Sequence, residues 1–148
     1  MGGLRGKDKV SRVCWHYSEV EEPPFPMVEI IISVPGLGIR LPEKRGLEAR
    51  VDTGYPGFVM LSTKLYREAS LQRTELPEEK FGVYRTATGL IEVRRAKALV
   101  EIAKAGVMEE LVIESPRYYE FGRTLLGRSF LRRFAFLLDG PKAEGCLL

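Results

Sequence analysis

The run Met27-Val28-Glu29-Ile30-Ile31-Ile32-Ser33-Val34, closed by Pro35-Gly36, sets the terms for what this chain can fold into. β-Branched side chains favour the pleated conformation, and a Pro-Gly pair continues neither strand nor helix. The same punctuation recurs throughout. Val10 to Val20, broken by Glu21-Glu22-Pro23-Pro24, predicts a strand with Val13, Trp15 and Tyr17 on one face. Gly46 to Asp52 and Phe58 to Leu61 predict two more, after which Ser62 is a natural N-cap for a short helix over Thr63 to Ala69. Gln72 to Lys80 is polar, contains Pro77, and predicts a loop. Phe81 to Thr88 and Leu90 to Ile102 predict two strands joined at Thr88-Gly89, with Val107 to Ile113 following the Gly106 break. Arg123 to Leu126 is a short apolar approach to Gly127, and Arg128 to Arg133 makes one or two helical turns. Phe134 to Leu138 predicts a final core strand, and Gly145 to Leu148 is apolar enough to pair at a sheet edge. Many short strands with few helical periods imply an all-β barrel or sandwich.

At 148 residues the chain has the size of one domain, expected over 10–148 behind a loosely attached, Gly- and Lys-rich tail at 1–9. The net charge of +3 does not argue for a nucleic-acid partner. The pairs Arg94-Arg95 and Arg132-Arg133 read as solvated faces, and no basic and aromatic residues interleave. No apolar run approaches the ~18 residues of a membrane helix, and no apolar segment follows the basic start. The expectation is a cytoplasmic protein with no membrane partner. Cys14 and Cys146 are either free buried thiols or one bridge, and a cytoplasmic setting favours free thiols. The chain has no Asn and one Gln, Gln72, beside abundant Glu, Arg and Lys. That is the pattern of proteins that live hot, or of a biased genome.

Histidine is nearly absent. His16 alone cannot serve a serine or cysteine triad, and no further Cys or His completes a zinc site around it, so it reads as an edge-strand residue. Gly36-x-Gly38 precedes no helix and lacks the third glycine of a dinucleotide loop, so it predicts a hairpin or loop. No metal or cofactor is expected.

Aspartate is scarce: Asp8, Asp52 and Asp139 are the three. Asp52 ends a strand and opens Asp52-Thr53-Gly54, where the chain must turn with the carboxylate free. A given triplet occurs by chance in roughly 3% of chains this long, so the triplet alone reads as an Asx turn. Its context is more specific. It stands in Ala49-Arg50-Val51-Asp52-Thr53-Gly54-Tyr55-Pro56-Gly57-Phe58-Val59-Met60-Leu61, and Leu125-Leu126-Gly127-Arg128-Ser129-Phe130-Leu131 follows much later, before the last strands.

This ordered pair resembles the retropepsin-like aspartic proteases, over roughly Gly46 to Asp139. The form Tyr55-Pro56-Gly57-Phe58 is most similar to their archaeal and bacterial single-domain branch. The resemblance implies a closed β barrel with one or two short helices that works as a homodimer, each subunit giving one catalytic Asp. Metal-free peptide hydrolysis needs a base for water and an acid for the carbonyl, and two carboxylates sharing a proton supply both. Asp8 lies in the tail and Asp139 lacks a following Thr-Gly, so a second copy in a symmetric dimer is the economical source of the second carboxylate.

By the same resemblance Asp52 is the catalytic carboxylate and Thr53 locks the paired loops across the dyad. Gly54 admits the substrate backbone, while Leu125, Leu126 and Gly127 pack behind the loop as support. The hairpin tip Thr86-Ala87-Thr88-Gly89 lies where the family carries a flap that clamps an extended peptide. Two departures stand out. Family members commonly continue the triplet with Ala and a hydroxyl residue that bonds the carboxylate, where this chain has Tyr55 and Pro56. Ser129 stands where Asp or Asn is frequent. The cluster Tyr118-Tyr119-Glu120-Phe121 reads as core or dimer interface, with a place in the substrate groove as the alternative.

Two functions follow: an aspartic endopeptidase acting on peptides or proteins, and a peptide-binding or dimerising domain of the same build without turnover.

Overall fold

The computed structural model of the chain describes residues 12–42 and 46–148, and the tail expected at 1–9 lies outside them. Among the described residues strands dominate, and α1 (Thr63–Glu68) and α2 (Arg128–Leu131) are the α-helical segments. The described residues are therefore all-β with two short helices.

Strand β2 (Met27–Val34) holds the structure together because successive stretches of it pair with different strands. Met27 to Ile30 pair antiparallel with β4 (Leu47–Val51), while Ile31 to Ser33 pair with β7 (Gly89–Ile102). From β4 the sheet continues through β9 (Leu125–Leu126), β5 (Val59–Met60) and β8 (Val107–Pro116) back to β7. The β2–β7 pairing thus closes a ring of six strands. Two more are attached outside it, β3 (Ile39–Leu41) on β2 and β6 (Gly82–Thr86) on β7. Alternation fills the interior: Val28, Ile30 and Ile32 from β2 meet Ala96, Val100 and Ile102 from β7, with Val59, Leu61, Ile113 and Leu126 between them. All are buried.

Two hairpins, β2–β3 and β7–β8, are connected in the same way. Pro35–Leu37 joins β2 to β3, and Ala103–Ala105 joins β7 to β8, each as a single 3-10 turn. Each ends on a left-handed glycine, Gly38 at φ 65° and Gly106 at φ 67°, where a side chain would be strained. Of the hairpin or loop expected at Gly36-x-Gly38, the chain forms this first hairpin. Ser62 caps α1 by accepting from the Leu65 N–H at 3.3 Å, and the segment expected as a plain loop over Gln72 to Lys80 carries two 3-10 turns.

The chain ends form a separate sheet: β1 (Val13–His16), β11 (Glu144–Leu147) and β10 (Phe136–Asp139), in that order. Three expectations change here. The last segment is the central strand of this sheet rather than an edge, because it inserts between β1 and β10. The strand expected in the core over Phe134 to Leu138 is instead an edge, and Leu138 is 51% exposed. Cys14 and Cys146 are not free thiols. The β1–β11 register sets them directly opposite, with Cα atoms 4.1 Å apart, and they form a disulfide across 132 residues of sequence. His16 ends β1, an edge strand of this sheet, and is exposed.

Candidate active site

Asp52 leaves β4 with its backbone already fixed: its N–H donates to the Leu126 carbonyl at 2.9 Å. The loop it opens returns as β5, yet β4 and β5 do not pair with each other. Strand β9 lies between them, parallel to β4 through Arg50–Leu125 and Val51–Leu126, antiparallel to β5 through Val59–Leu126 and Met60–Leu125. Both ends of the loop are therefore held by the same two leucines, which are buried.

The residues after those leucines grip the loop from behind. The N–H groups of Gly127, Arg128 and Ser129 donate to the carbonyls of Phe58, Tyr55 and Gly57 at 3.0, 2.8 and 3.2 Å, and the Ser129 hydroxyl donates to Pro56 at 2.6 Å. A Cβ on Gly127 would stand 2.2 Å from the Gly57 carbonyl oxygen and 2.5 Å from that of Tyr55, so this approach requires glycine. Four hydrogen bonds and one missing methyl hold the loop rigid.

The Asp52 carboxylate is half-buried, and its Oδ1 accepts from the Gly54 N–H at 2.9 Å. Thr53 and Gly54 are exposed. Asp52 and Gly54 lie on the wall of a cavity of about 300 Å³ that also takes Tyr84, Thr86 and Ile91 from the β6–β7 hairpin and Tyr119 and Phe121 from the loop after β8. Tyr55, Met60 and Leu125 also line it, and with Val93 behind them they form an apolar cluster separate from the ring interior. Among the described residues, Asp52 is the one acidic residue of that lining.

At the hairpin tip the turn is Ala87-Thr88, one residue earlier than expected, between the paired residues Thr86 and Gly89. Thr86 Oγ1 donates to the Gly89 carbonyl at 2.9 Å and accepts the Thr88 N–H at 3.2 Å. Gly89 has φ 128°, a conformation reserved for glycine. All four tip residues are exposed, and Thr86 is the one that lines the cavity; Ala87, Thr88 and Gly89 do not. Nor do Thr53, Leu126 or Gly127.

Of the aromatic cluster, Phe121 packs against the core cluster at the cavity, while the two tyrosines do not join it. Tyr118 and Tyr119 are exposed, and Tyr119 and Phe121 face the cavity because α1 holds their loop. Thr63 exchanges backbone and hydroxyl hydrogen bonds with Phe121, and its hydroxyl donates to Glu120 at 2.5 Å. That bond, then Arg67 at 3.2 Å, holds the Glu120 carboxyl below its ordinary range.

The inner face of the loop is polar in a way the sequence did not reveal. Glu114 is 3% exposed and collects donors from three other elements. Tyr55, directly after the triplet, donates its hydroxyl to Oε1. Tyr84 on β6 donates across both oxygens at 2.8 Å, and Arg95 on β7 donates Nε to Oε2 at 2.7 Å. Burial first, and then the Glu114 carboxylate, push the Tyr84 hydroxyl up to about 12 and that of Tyr55 well beyond. Glu114 escaped prediction because it sits on the polar phase of Leu111-Val112-Ile113-Glu114-Ser115, which alternation assigns to solvent. Both faces of β8 are buried at this end, where the hairpin and Tyr55 cover the second one.

No protein-family model matches the chain. An uncharacterized protein of Archaeoglobus fulgidus is 28% identical over 114 residues, which cover 77% of this chain and 86% of that protein. Among solved structures, the retroviral protease-like domain of Ddi1 from Leishmania major is similar at a TM-score of 0.44 and 13% identity, covering 78% of this chain and 83% of that one. A likeness at that TM-score is too distant to define the fold or the chemistry of this chain.

Proposed function

We propose that this chain is one half of a retropepsin-like aspartic endopeptidase, with Asp52 as its catalytic carboxylate and a second copy supplying the other. The observation that carries this reading is the mounting of Asp52. A loop gripped by four hydrogen bonds from residues 127–129 presents a half-buried carboxylate to an apolar cavity beneath a hairpin. A preorganised carboxylate beside an apolar groove suits water activation against a bound peptide.

In the dimer the two Asp52 side chains share one proton. One carboxylate takes a proton from water while the protonated partner polarises the scissile carbonyl. The substrate lies extended in the cavity with apolar side chains against Ile91, Tyr119 and Phe121. Thr53, exposed in one chain, would meet its counterpart across the two-fold axis, and the Thr86–Gly89 tip would close over the peptide. Pro56 has no hydroxyl to offer the carboxylate, and Tyr55 directs its own to Glu114.

The test is hydrolysis of a fluorogenic peptide over about pH 3–7, comparing wild type with Asp52→Ala. Activity should peak on the acidic side, where the pair holds one proton, and vanish in the variant. Equal cleavage by both proteins removes Asp52 from the chemistry. Light scattering should show a dimer at tens of micromolar.

One observation favours a second reading, peptide binding without turnover: among the described residues of a single chain, Asp52 is the one carboxylate on the cavity wall. A protein that stays monomeric would bind and not cut. We further place the protein in the cytoplasm of a cell that lives hot. The absence of Asn supports this, and the Cys14–Cys146 disulfide is compatible with it, since intracellular disulfides are common in hyperthermophiles. Among the described residues no helix is long and apolar enough to cross a membrane.

A further inference from the structure

We propose that Glu114 is a positioning residue that locks the Asp52 loop to the base of the β6–β7 hairpin, and so fixes the height of the cavity. The proposal deepens the endopeptidase reading and rests on it for its catalytic consequence. Glu114 touches neither the cavity nor Asp52; it acts through Tyr55 on one side and Tyr84 on the other, both of which line the cavity.

Three features show a built arrangement rather than a stray buried acid. First, its partners come from the two segments whose separation matters: Tyr55 from the loop, Tyr84 and Arg95 from the two strands of the hairpin. The Tyr55 and Tyr84 rings also meet edge to face, 5.9 Å apart.

Second, two glycines make room for it. A Cβ on Gly57 would lie 2.4 Å from both Glu114 Oε1 and the Tyr55 hydroxyl, and one on Gly82 would lie 2.4 Å from the Arg95 guanidinium. Third, Glu114 is itself immobile: its carbonyl accepts from the Leu61 N–H at 2.7 Å, and the neighbouring Ser115 hydroxyl donates to the Leu61 carbonyl at 2.9 Å. Buried ion pairs seldom stabilise more than well-packed apolar residues of similar volume would. What this one adds is geometry, a fixed link where apolar packing would allow sliding.

The test pairs Glu114→Gln with Tyr84→Phe, which removes one hydroxyl and tolerates folding where the first variant does not. Two readouts are taken on the full chain. Amide hydrogen exchange should rise in the 53–58 loop and in the 82–93 hairpin together, while β2, β3 and the terminal sheet keep wild-type protection. Turnover of the fluorogenic peptide should fall roughly 10- to 100-fold in kcat for Glu114→Gln, with KM changed less than about threefold, since misplacement penalises the reacting geometry more than binding. Tyr84→Phe should show the same pattern at smaller amplitude.

Exchange that rises evenly through the ring, or in one segment alone, overturns the proposal, as does a kcat that follows the loss of folded protein. If wild type shows no turnover but the paired exchange pattern appears, the endopeptidase reading fails and the lock stands.

Discussion

The loop at 52–57 has two faces, each built around a carboxylate, and they are treated in opposite ways. On the outer face Asp52 is half-buried, with the Gly54 N–H on one of its oxygens. On the inner face Glu114 is enclosed by three donors that hold both of its oxygens. The contrast separates reactivity from support. On the proposed reading, the carboxylate that exchanges protons with water is left accessible, and the one that holds geometry is saturated. Neither role follows from residue type, since Asp and Glu carry the same group.

The sharpest way to break this contrast is at Asp52. Asp52→Asn should lower peptide turnover by roughly 10³-fold or more while changing stability by less than about 0.5 kcal/mol, because a half-exposed side chain with one backbone bond carries little of the fold. Urea denaturation beside the peptidase assay checks both halves. A large loss of stability would mean that Asp52 is structural.

Removing the Cys14–Cys146 disulfide should do the reverse. Closing a loop of 132 residues constrains the unfolded chain strongly, and the double Ser variant should lose about 2–5 kcal/mol in urea. The loop at 52–57 is gripped by β9 and α2 rather than by the terminal sheet, so kcat at temperatures where the variant is folded should hold.

Glu114→Ala belongs between these two. It leaves the Arg95 guanidinium and two tyrosine hydroxyls without their acceptor, a loss of about 2–3 kcal/mol, at the low end for a buried pair because the Arg95 side chain is 30% exposed. Activity should fall as well, which neither of the other substitutions combines with destabilisation. The smallest effect is at high pH. The Tyr84 hydroxyl titrates near 12 in the folded chain and near 10 unfolded, so the folded state holds its proton more tightly. Its contribution is complete below about pH 10 and is lost as pH rises toward 12. Alkaline unfolding should therefore be less steep in Tyr84→Phe, as followed by circular dichroism.

The outer face was much easier to read in the sequence than the inner one. Asp52-Thr53-Gly54 and Leu125-Leu126-Gly127-Arg128 are short local strings, and their geometry depends on features that sequence displays: a strand end, a glycine, two aliphatics. The other strands of the ring followed from alternation and from the Pro35-Gly36 and Gly106 breaks for the same reason, while β9 read only as a short apolar approach to Gly127. The inner face depends on which strand covers which. Glu114 is buried because Tyr55, Tyr84 on β6 and Arg95 on β7 close over its carboxylate, and Tyr55 reads only as a departure from the family pattern until its hydroxyl is seen to reach Glu114. The terminal sheet eluded the sequence on similar grounds. A central and an edge strand are both short apolar runs, and only the insertion of β11 between β1 and β10 brings Cys14 to Cys146.

The most direct test of the central claim, that two copies of Asp52 make one active site, is subunit mixing. Wild type and Asp52→Asn are unfolded and refolded together in equal amounts, and peptide hydrolysis is measured per wild-type subunit. With one carboxylate from each chain, random pairing leaves about half of the wild-type subunits in active dimers, and specific activity falls to about half. Undiminished activity per wild-type subunit would show that each chain carries a complete site and would contradict the shared dyad.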